Sequence, residues 1–480
     1  MKKEWKQIFL DTQGKRTGAL RSMDEVHSSV SVAKSGNFFK RFLCFAGPAY
    51  LVSVGYMDPG NWGTDLAGGA RYGYALLWVI LVSNLMAILL QTLCARLGIV
   101  TGHDLAQACR AYYKKPATVV LWILCELAII ACDLAEVIGS AVALQLLFNI
   151  PILYGVIITG FDVLILLGAM RLGFRKIEAI ILALVSTIGL CFAVEIFLSR
   201  PDWGGVLLGT FVPSVPDKEA IYISLGILGA TVMPHNLYLH SAVVQTRDIE
   251  QSAEGKRHAI HYNTWDTVIA LGAAFFVNAA ILVLAGTVFH KAGYFGVEDL
   301  GEAHRLLAPL LGGPLAATAF AVALLASGQS STITGTLAGQ IVMEGFMHIR
   351  IKPWLRRVIS RLLAIIPAMI MISISGGKDT VGLLVFSQVV LSMQLPFAIF
   401  PLLMFTSNRK YMGEFANSLA VKIAGYAICC IITVLNIYLL CETIGYYAVA
   451  GIAAAGAAFA VWVIYFYREK DEEKELVSAA

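Results

Sequence analysis

Apolar residues run along this chain in windows of about 20, the length that crosses a hydrocarbon core of roughly 30 Å. The windows fall at 43–68, 74–97, 118–148, 151–170, 177–198, 220–245, 264–288, 314–345, 358–374, 380–405, 421–441 and 446–467, which predicts twelve transmembrane helices. Gly445 is the main punctuation between the last two, so eleven spans with an extended end is the alternative. Two windows carry polar, proline-containing runs at mid-membrane depth: Asp58-Pro59-Gly60-Asn61 in the first and Met233-Pro234-His235-Asn236 in the sixth. A bilayer core has no water for loose backbone groups, so a helix breaks there only where the freed groups line a cavity or hold a ligand. The two breaks occupy the first place of the first five spans and the first place of the second five. Five is odd, so the second set enters the membrane from the other side, which predicts an inverted repeat with both broken helices meeting near the midplane.

Composition agrees with a polytopic all-α membrane protein. The chain is 58% hydrophobic and 14% charged, with a mean hydropathy of +0.74, against roughly 45–50% and 25% in soluble domains. Lysines and arginines concentrate in alternate loops, leaving Arg71, Arg200, Lys218, Lys291, Arg305 and Lys378 for the other side. The positive-inside rule then places both termini in the cytoplasm. The expected organisation is a cytoplasmic tail over 1–41, one transmembrane domain over 42–467 and a cytoplasmic tail over 468–480, with both tails solvated. Residues 1–41 contain no cleaved signal pattern, so the first span is expected to serve as its own insertion signal. The net charge of +4 needs only anionic lipid at a basic inner face, and no nucleic acid is expected. The nine cysteines lack CxxC spacing and mostly sit in or beside apolar runs, which reads as buried free thiols.

The chemistry concentrates at the breaks. An ionised aspartate at bilayer depth costs at least about 2.5 kcal/mol, so Asp58 must meet a cation or a proton. Pro59 removes an amide donor and Gly60 lets the backbone turn, exposing upstream carbonyls beside the carboxylate. Asn61 adds an amide oxygen. Pro234 frees the carbonyl of Ala230, and Met233 places a thioether next to it. Carboxylate, amide oxygen, carbonyl and sulfur together point away from magnesium and calcium, which take oxygen only, toward manganese, ferrous iron and softer divalent ions. In the third window Asp133 and Glu136 share a helix face with Glu126 two turns back, which reads as a proton path partnered by Arg357 or Arg361. His235 is a titratable neighbour of the site or a hydrogen-bonding brace. Gln388 is the candidate for a late-arriving ligand, with helix packing as its other reading; Gln394, Asp266, Asn278 and Gln329 read as packing, network or vestibule residues.

The runs DPGN at 58–61, GATVMPHNLYLHS at 229–241, DLAEVIGSA at 133–141 and SQVVLSMQLPFA at 387–398 closely resemble the Nramp family of proton-coupled divalent metal transporters over residues 42–441. The resemblance implies a leucine-transporter fold with its first and sixth helices unwound around the ion. It implies metal ligands at Asp58, Asn61, the Ala230 carbonyl and Met233, joined by Gln388 on occlusion. It also implies proton roles for Asp58, Asp133 and Glu136, with Glu126 and His235 nearby and Arg361, or else Arg357, as partner. Relatives that carry magnesium depart at the methionine and the histidine-containing run, and this chain does not. Cys132 stands where many members have threonine, and neither it nor the long N-terminal tail is expected to touch the site.

The expected function is therefore import of manganese, iron or a similar ion by proton symport through alternating access, excluding calcium and magnesium. The chain is expected to act as a monomer in the cell membrane, without a cofactor, the metal and protons being cargo. A sodium-coupled carrier of organic solutes is the alternative of the same architecture, and a non-transporting metal sensor is another. HExxH, GxSxG and phosphate-binding glycine loops are absent from the sequence, which leaves no signature of the usual metalloprotease, hydrolase or nucleotide-dependent enzyme.

Overall fold

The computed structural model describes residues 22–23, 26–32, 38–161, 174–297, 299–349, 353–375 and 380–466. Among these, nine helices are long and apolar enough to cross a membrane: Leu77–Thr101, Lys115–Phe148, Phe174–Ser199, Lys218–Thr246, Ala253–His290, Pro314–Met347, Thr380–Ser407, Leu419–Ile444 and Tyr446–Tyr465. They correspond to spans two, three, five to eight and ten to twelve of the predicted twelve. The other three spans stand outside that set. Span one is broken into pieces too short to count, span four is described only from Ile152 to Phe161, and span nine forms the helix Pro353–Ser375, with Arg361–Ile370 as its apolar stretch among the described residues. Spans eleven and twelve are separate helices, divided at Gly445 with φ 85°, a backbone angle glycine adopts without strain.

Hydropathy misplaced some ends because a helix continues past its apolar part. Span seven begins at Ala253, capped by the Ser252 side chain on the Gly255 amide at 3.0 Å. Several connections are also helical, including Leu105–Tyr112, whose Asp104 and Gln107 form a reciprocal capping box.

Close packing around the breaks relies on small residues, the usual means of bringing membrane helices into backbone contact. A Cβ at Gly139 in span three would strike Pro59, and one at Gly328 in span eight would strike Ser140. Spans three and eight therefore clasp the broken region of span one.

The start of span one is held by charge, most of it buried. Arg247 Nη2 lies 2.8 Å from Glu178 and donates to the Ala46 carbonyl at 2.7 Å. Arg175 donates to the carbonyls of Cys44 and Ala46 at 2.6 and 2.9 Å. Asp266 accepts from the Ala49 amide at 2.9 Å and from Gly47 at 3.3 Å. Spans five, six and seven thus grip one helix entrance, each charge or free amide being partnered as burial demands.

The described part of the N-terminal tail is docked, where a solvated tail was expected. The Val30 amide donates to the Thr246 carbonyl at 2.9 Å and its carbonyl accepts from Asp248 at 2.9 Å, while the Met23 amide donates to Glu344 at 3.0 Å. Met23 and Val30 are both buried, so apolar contact outweighs solvation of this stretch. The rest of the tail and residues 467–480 lie outside the described residues.

Candidate functional site

Span one enters as the helix Pro48–Ser53, tightens through Val54–Met57, becomes extended at Asp58 and resumes as Pro59–Tyr72. Proline suits the first position of the resumed helix, because its missing amide hydrogen would have had no intrahelical partner there. Asp58 caps that helix: Oδ1 accepts from the Asn61 amide at 2.8 Å and from Asn61 Nδ2 at 2.7 Å. Asn61 Nδ2 also reaches the carbonyls of Gly55 at 3.1 Å and Ala230 at 3.3 Å. Span six runs Lys218–Val232, turns at Met233 and resumes as Pro234–Val243. Pro234 offers no amide hydrogen to Ala230, so that carbonyl faces the other break as the sequence predicts.

The structure brings these residues together. Asp58, Asn61, Ala230, Met233 and Gln388 are all essentially inaccessible to solvent. Asn61 joins Asp58 to Ala230 directly. A Cβ at Gly55 would lie 3.0 Å from Met233 Sδ, and one at Gly60 would overlap Gln388 Nε2. Gly55 and Gly60 are therefore the clearances through which the sulfur and the Gln388 amide approach span one. Gln388 Oε1 is buried with no hydrogen-bond partner, an acceptor available to a cation.

The predicted acids divide. Glu136 is buried and accepts from Thr332 at 3.1 Å and from Arg361 at 3.4 Å, while Arg361 Nη2 donates to Thr332 at 2.6 Å. Asp133 lies with Glu136 beside Gly335, where a Cβ would meet their oxygens at 3.3 and 3.2 Å. Glu126 is only half-buried and accepts from Trp122 Nε1 at 3.1 Å, so it stands apart from the inner pair. Arg361 is the ninth-span partner of Glu136; the side chain of Arg357 lies outside the described residues. His235 is buried with no hydrogen-bond partner on Nδ1, which gives no support to a bracing hydrogen bond through that nitrogen.

Sequence reasoning missed the parts played by three residues and read a fourth, Asn278, as a network residue without naming its partner. Asn278 donates to Asn61 Oδ1 at 3.2 Å, turning the amide oxygen of the pair toward span seven. Asn236 Nδ2 approaches Met233 Sδ at 3.5 Å. Asp266 belongs to the helix entrance described above rather than to a vestibule. Cys132, expected to be remote, has its sulfur 3.7 Å from Asp58 Oδ2 and 3.9 Å from Glu136 Oε1. The correction has a simple helical cause: Cys132 stands one turn before Glu136 on the face that span three turns toward Asp58. All nine cysteines are free.

Among the described residues no three His, Cys, Asp or Glu side chains converge as a metal-binding group. The donor set at the breaks is instead one carboxylate with neutral oxygen and sulfur atoms. Such a set suits an ion that must leave as readily as it enters better than it suits a resident structural metal.

The sequence profile described as natural resistance-associated macrophage protein-like matches residues 49–442. A protein of Nostoc sp. named divalent metal cation transporter MntH is 56% identical over 426 residues, covering 88% of this chain and 96% of its own. A protein of the same name from Bradyrhizobium diazoefficiens is 55% identical over 442 residues, covering 91% and 98%. The crystal structure of the Eremococcus coleocola manganese transporter with an aromatic bis-isothiourea compound superposes with a TM-score of 0.85 at 40% identity, covering 92% of this chain and 98% of that one. The nucleobase-cation-symport-1 transporter Mhp1 superposes with a TM-score of 0.56 at 14% identity, covering 92% and 96%. That last likeness concerns the fold alone, which is leucine-transporter-like.

Proposed function

This chain belongs to the Nramp family of membrane metal transporters, and from that premise we propose that it imports manganese, ferrous iron or similar divalent ions by proton symport. It is a multi-pass membrane transporter and not an enzyme, and the metal is its substrate rather than a cofactor. The observation that carries the proposal is the meeting of two helix breaks that present the Asp58 carboxylate, the Asn61 amide, the Ala230 carbonyl and the Met233 thioether in one buried place. The likeness to a manganese transporter supports the same reading.

The metal enters dehydrated and binds Asp58, Asn61, the Ala230 carbonyl and Met233, with Gln388 completing the shell as the site closes. The thioether disfavours calcium and magnesium, whose hard shells accept oxygen alone. Asp58 exchanges protons with the acids of span three, Asp133 and Glu136, where Arg361 supplies the counter-charge; Glu126 and His235 lie along the same route. An inward potential of 100 mV contributes about 2.3 kcal/mol for each elementary charge moved. Alternating access follows from rocking one repeat against the other about the fixed site. The working unit is a monomer in the cell membrane with its 1–41 and 468–480 tails in the cytoplasm.

The test is uptake into proteoliposomes carrying an internal pH dye. Manganese entry with acidification, resistant to excess calcium and lost in Asp58→Ala, is the expected result. Magnesium flux, sodium dependence or absence of flux would each overturn the reading.

A further inference from the structure

Cys132 has a place in the site that the ligand set above does not use. Its side chain comes from span three, whereas Asp58 and Met233 come from the two breaks, and it is 3% exposed. It shares a small buried cluster with Ala128, Met233 and Leu391. The Cys132 sulfur therefore borders the Asp58 carboxylate on one side and shares its apolar surroundings with Met233.

We propose that Cys132 is a further metal-facing residue, whose sulfur biases the site toward thiophilic ions of the cadmium and zinc type. The spacing supports this directly. A tetrahedral zinc with oxygen at about 2.1 Å and sulfur at about 2.3 Å separates those two ligand atoms by roughly 3.6 Å. The observed separation of Cys132 Sγ from Asp58 Oδ2 is 3.7 Å, so both atoms reach one ion without moving apart or together. The third element is Gln388 of span ten, whose Nε2 lies beside Gly60 and whose Oε1 is buried without a hydrogen-bond partner, an oxygen available to a mixed shell. A hydroxyl at position 132 would replace the soft atom with a hard one, and preference would move back toward manganese.

The inference rests on the reading that Asp58 and Met233 receive the ion, and the experiment separates the two. Cadmium is titrated into purified protein while the ultraviolet sulfur-to-cadmium charge-transfer absorbance is recorded, for the unaltered chain, Cys132→Thr and Cys132→Ser. Competition of cadmium against manganese uptake is measured in parallel, and thermal unfolding establishes that each variant is folded. The expected result is a charge-transfer band lost in both variants, with the cadmium-over-manganese preference falling roughly tenfold, the scale on which supporting ligands alter metal affinity. A folded variant that retains the band and the preference overturns the assignment of Cys132. A band that depends on Cys132 in a protein showing no flux upholds that assignment and removes the transport reading instead. If both substitutions unfold the chain, Cys132 is a packing residue and the proposal fails.

Discussion

At Asp58 the chain leaves helical geometry through an ordinary extended residue, φ −69° and ψ 165°, and the side chain caps the helix that follows. At Met233 it turns through φ 32° and ψ 107°, and no side chain caps the helix that follows. The first break is thus held by hydrogen bonds of the group proposed to bind cargo, while the second is held by backbone in a region L-residues rarely visit. In span one the proposed ligand and the structural brace are the same carboxylate. In span six they are separate: proline and the surrounding packing set the turn, and the Met233 sulfur has little to do with it, its hydrogen-bond contact among the described residues being Asn236 at 3.5 Å. The thioether can be exchanged without dismantling the break, whereas at Asp58 only a side chain that keeps an acceptor for the Asn61 amide spares it.

Substitutions at Asp58 should break the comparison hardest. Asp58→Ala removes charge and cap together; manganese uptake should vanish and the helix cap should cost about 1 kcal/mol of stability. Asp58→Asn keeps an acceptor for the Asn61 amide, so its unfolding temperature should stay close to that of the unaltered chain while uptake is equally lost. Equal destabilisation in both would mean that the charge, not the cap, holds the break. Next in size is Gly60→Ala, whose methyl would occupy the place of Gln388 Nε2. Displacing that amide should weaken manganese binding about tenfold, a typical cost for disturbing a supporting metal contact, and calorimetric titration would show it. Asn278→Ala deletes the donor to Asn61 Oδ1, leaving a buried acceptor unpaired. At about 1 kcal/mol for one hydrogen bond, a loss of about that much folding stability is expected, to be checked by thermal unfolding of the metal-free protein.

How far the sequence reached follows from the same contrast. Helix breaks announce themselves, since proline beside a charged or amide residue is costly inside an apolar window unless the helix opens there; Asp58, Asn61, Ala230 and Met233 were legible for that reason. The inner acid pair was legible because carboxyls in a membrane are rare. What stayed hidden depends on which face of one helix meets which face of another. Cys132 looks like any small apolar-facing residue until span three is rotated against Asp58, and Asn278 acquires a role only once span seven is placed beside Asn61. Asp266 was visible as an intramembrane charge, but its partners are two backbone amides at the start of span one, and backbone donors carry no sequence signature. The tail was misjudged because Met23 and Val30 are isolated apolar residues in a polar stretch, and single residues give no periodicity to read.

The finest discrimination between the two breaks comes from paired substitutions at position 233. Met233→Ala and Met233→Gly remove the same thioether, so both should weaken the exclusion of calcium from manganese uptake to a similar degree. They differ in backbone cost. Alanine inherits φ 32° with a Cβ that crowds the following carbonyl, whereas glycine adopts that angle freely, a difference of about 1 kcal/mol. Glycine's greater freedom in the unfolded chain offsets part of this, by about 0.4–1 kcal/mol. The glycine variant should therefore unfold at the same temperature as the alanine variant or slightly above it, although glycine lowers stability relative to alanine at ordinary helical positions. A glycine variant clearly less stable than alanine would show that the turn at Met233 stores no strain, and the second break would then be held, like the first, by contacts of its neighbours.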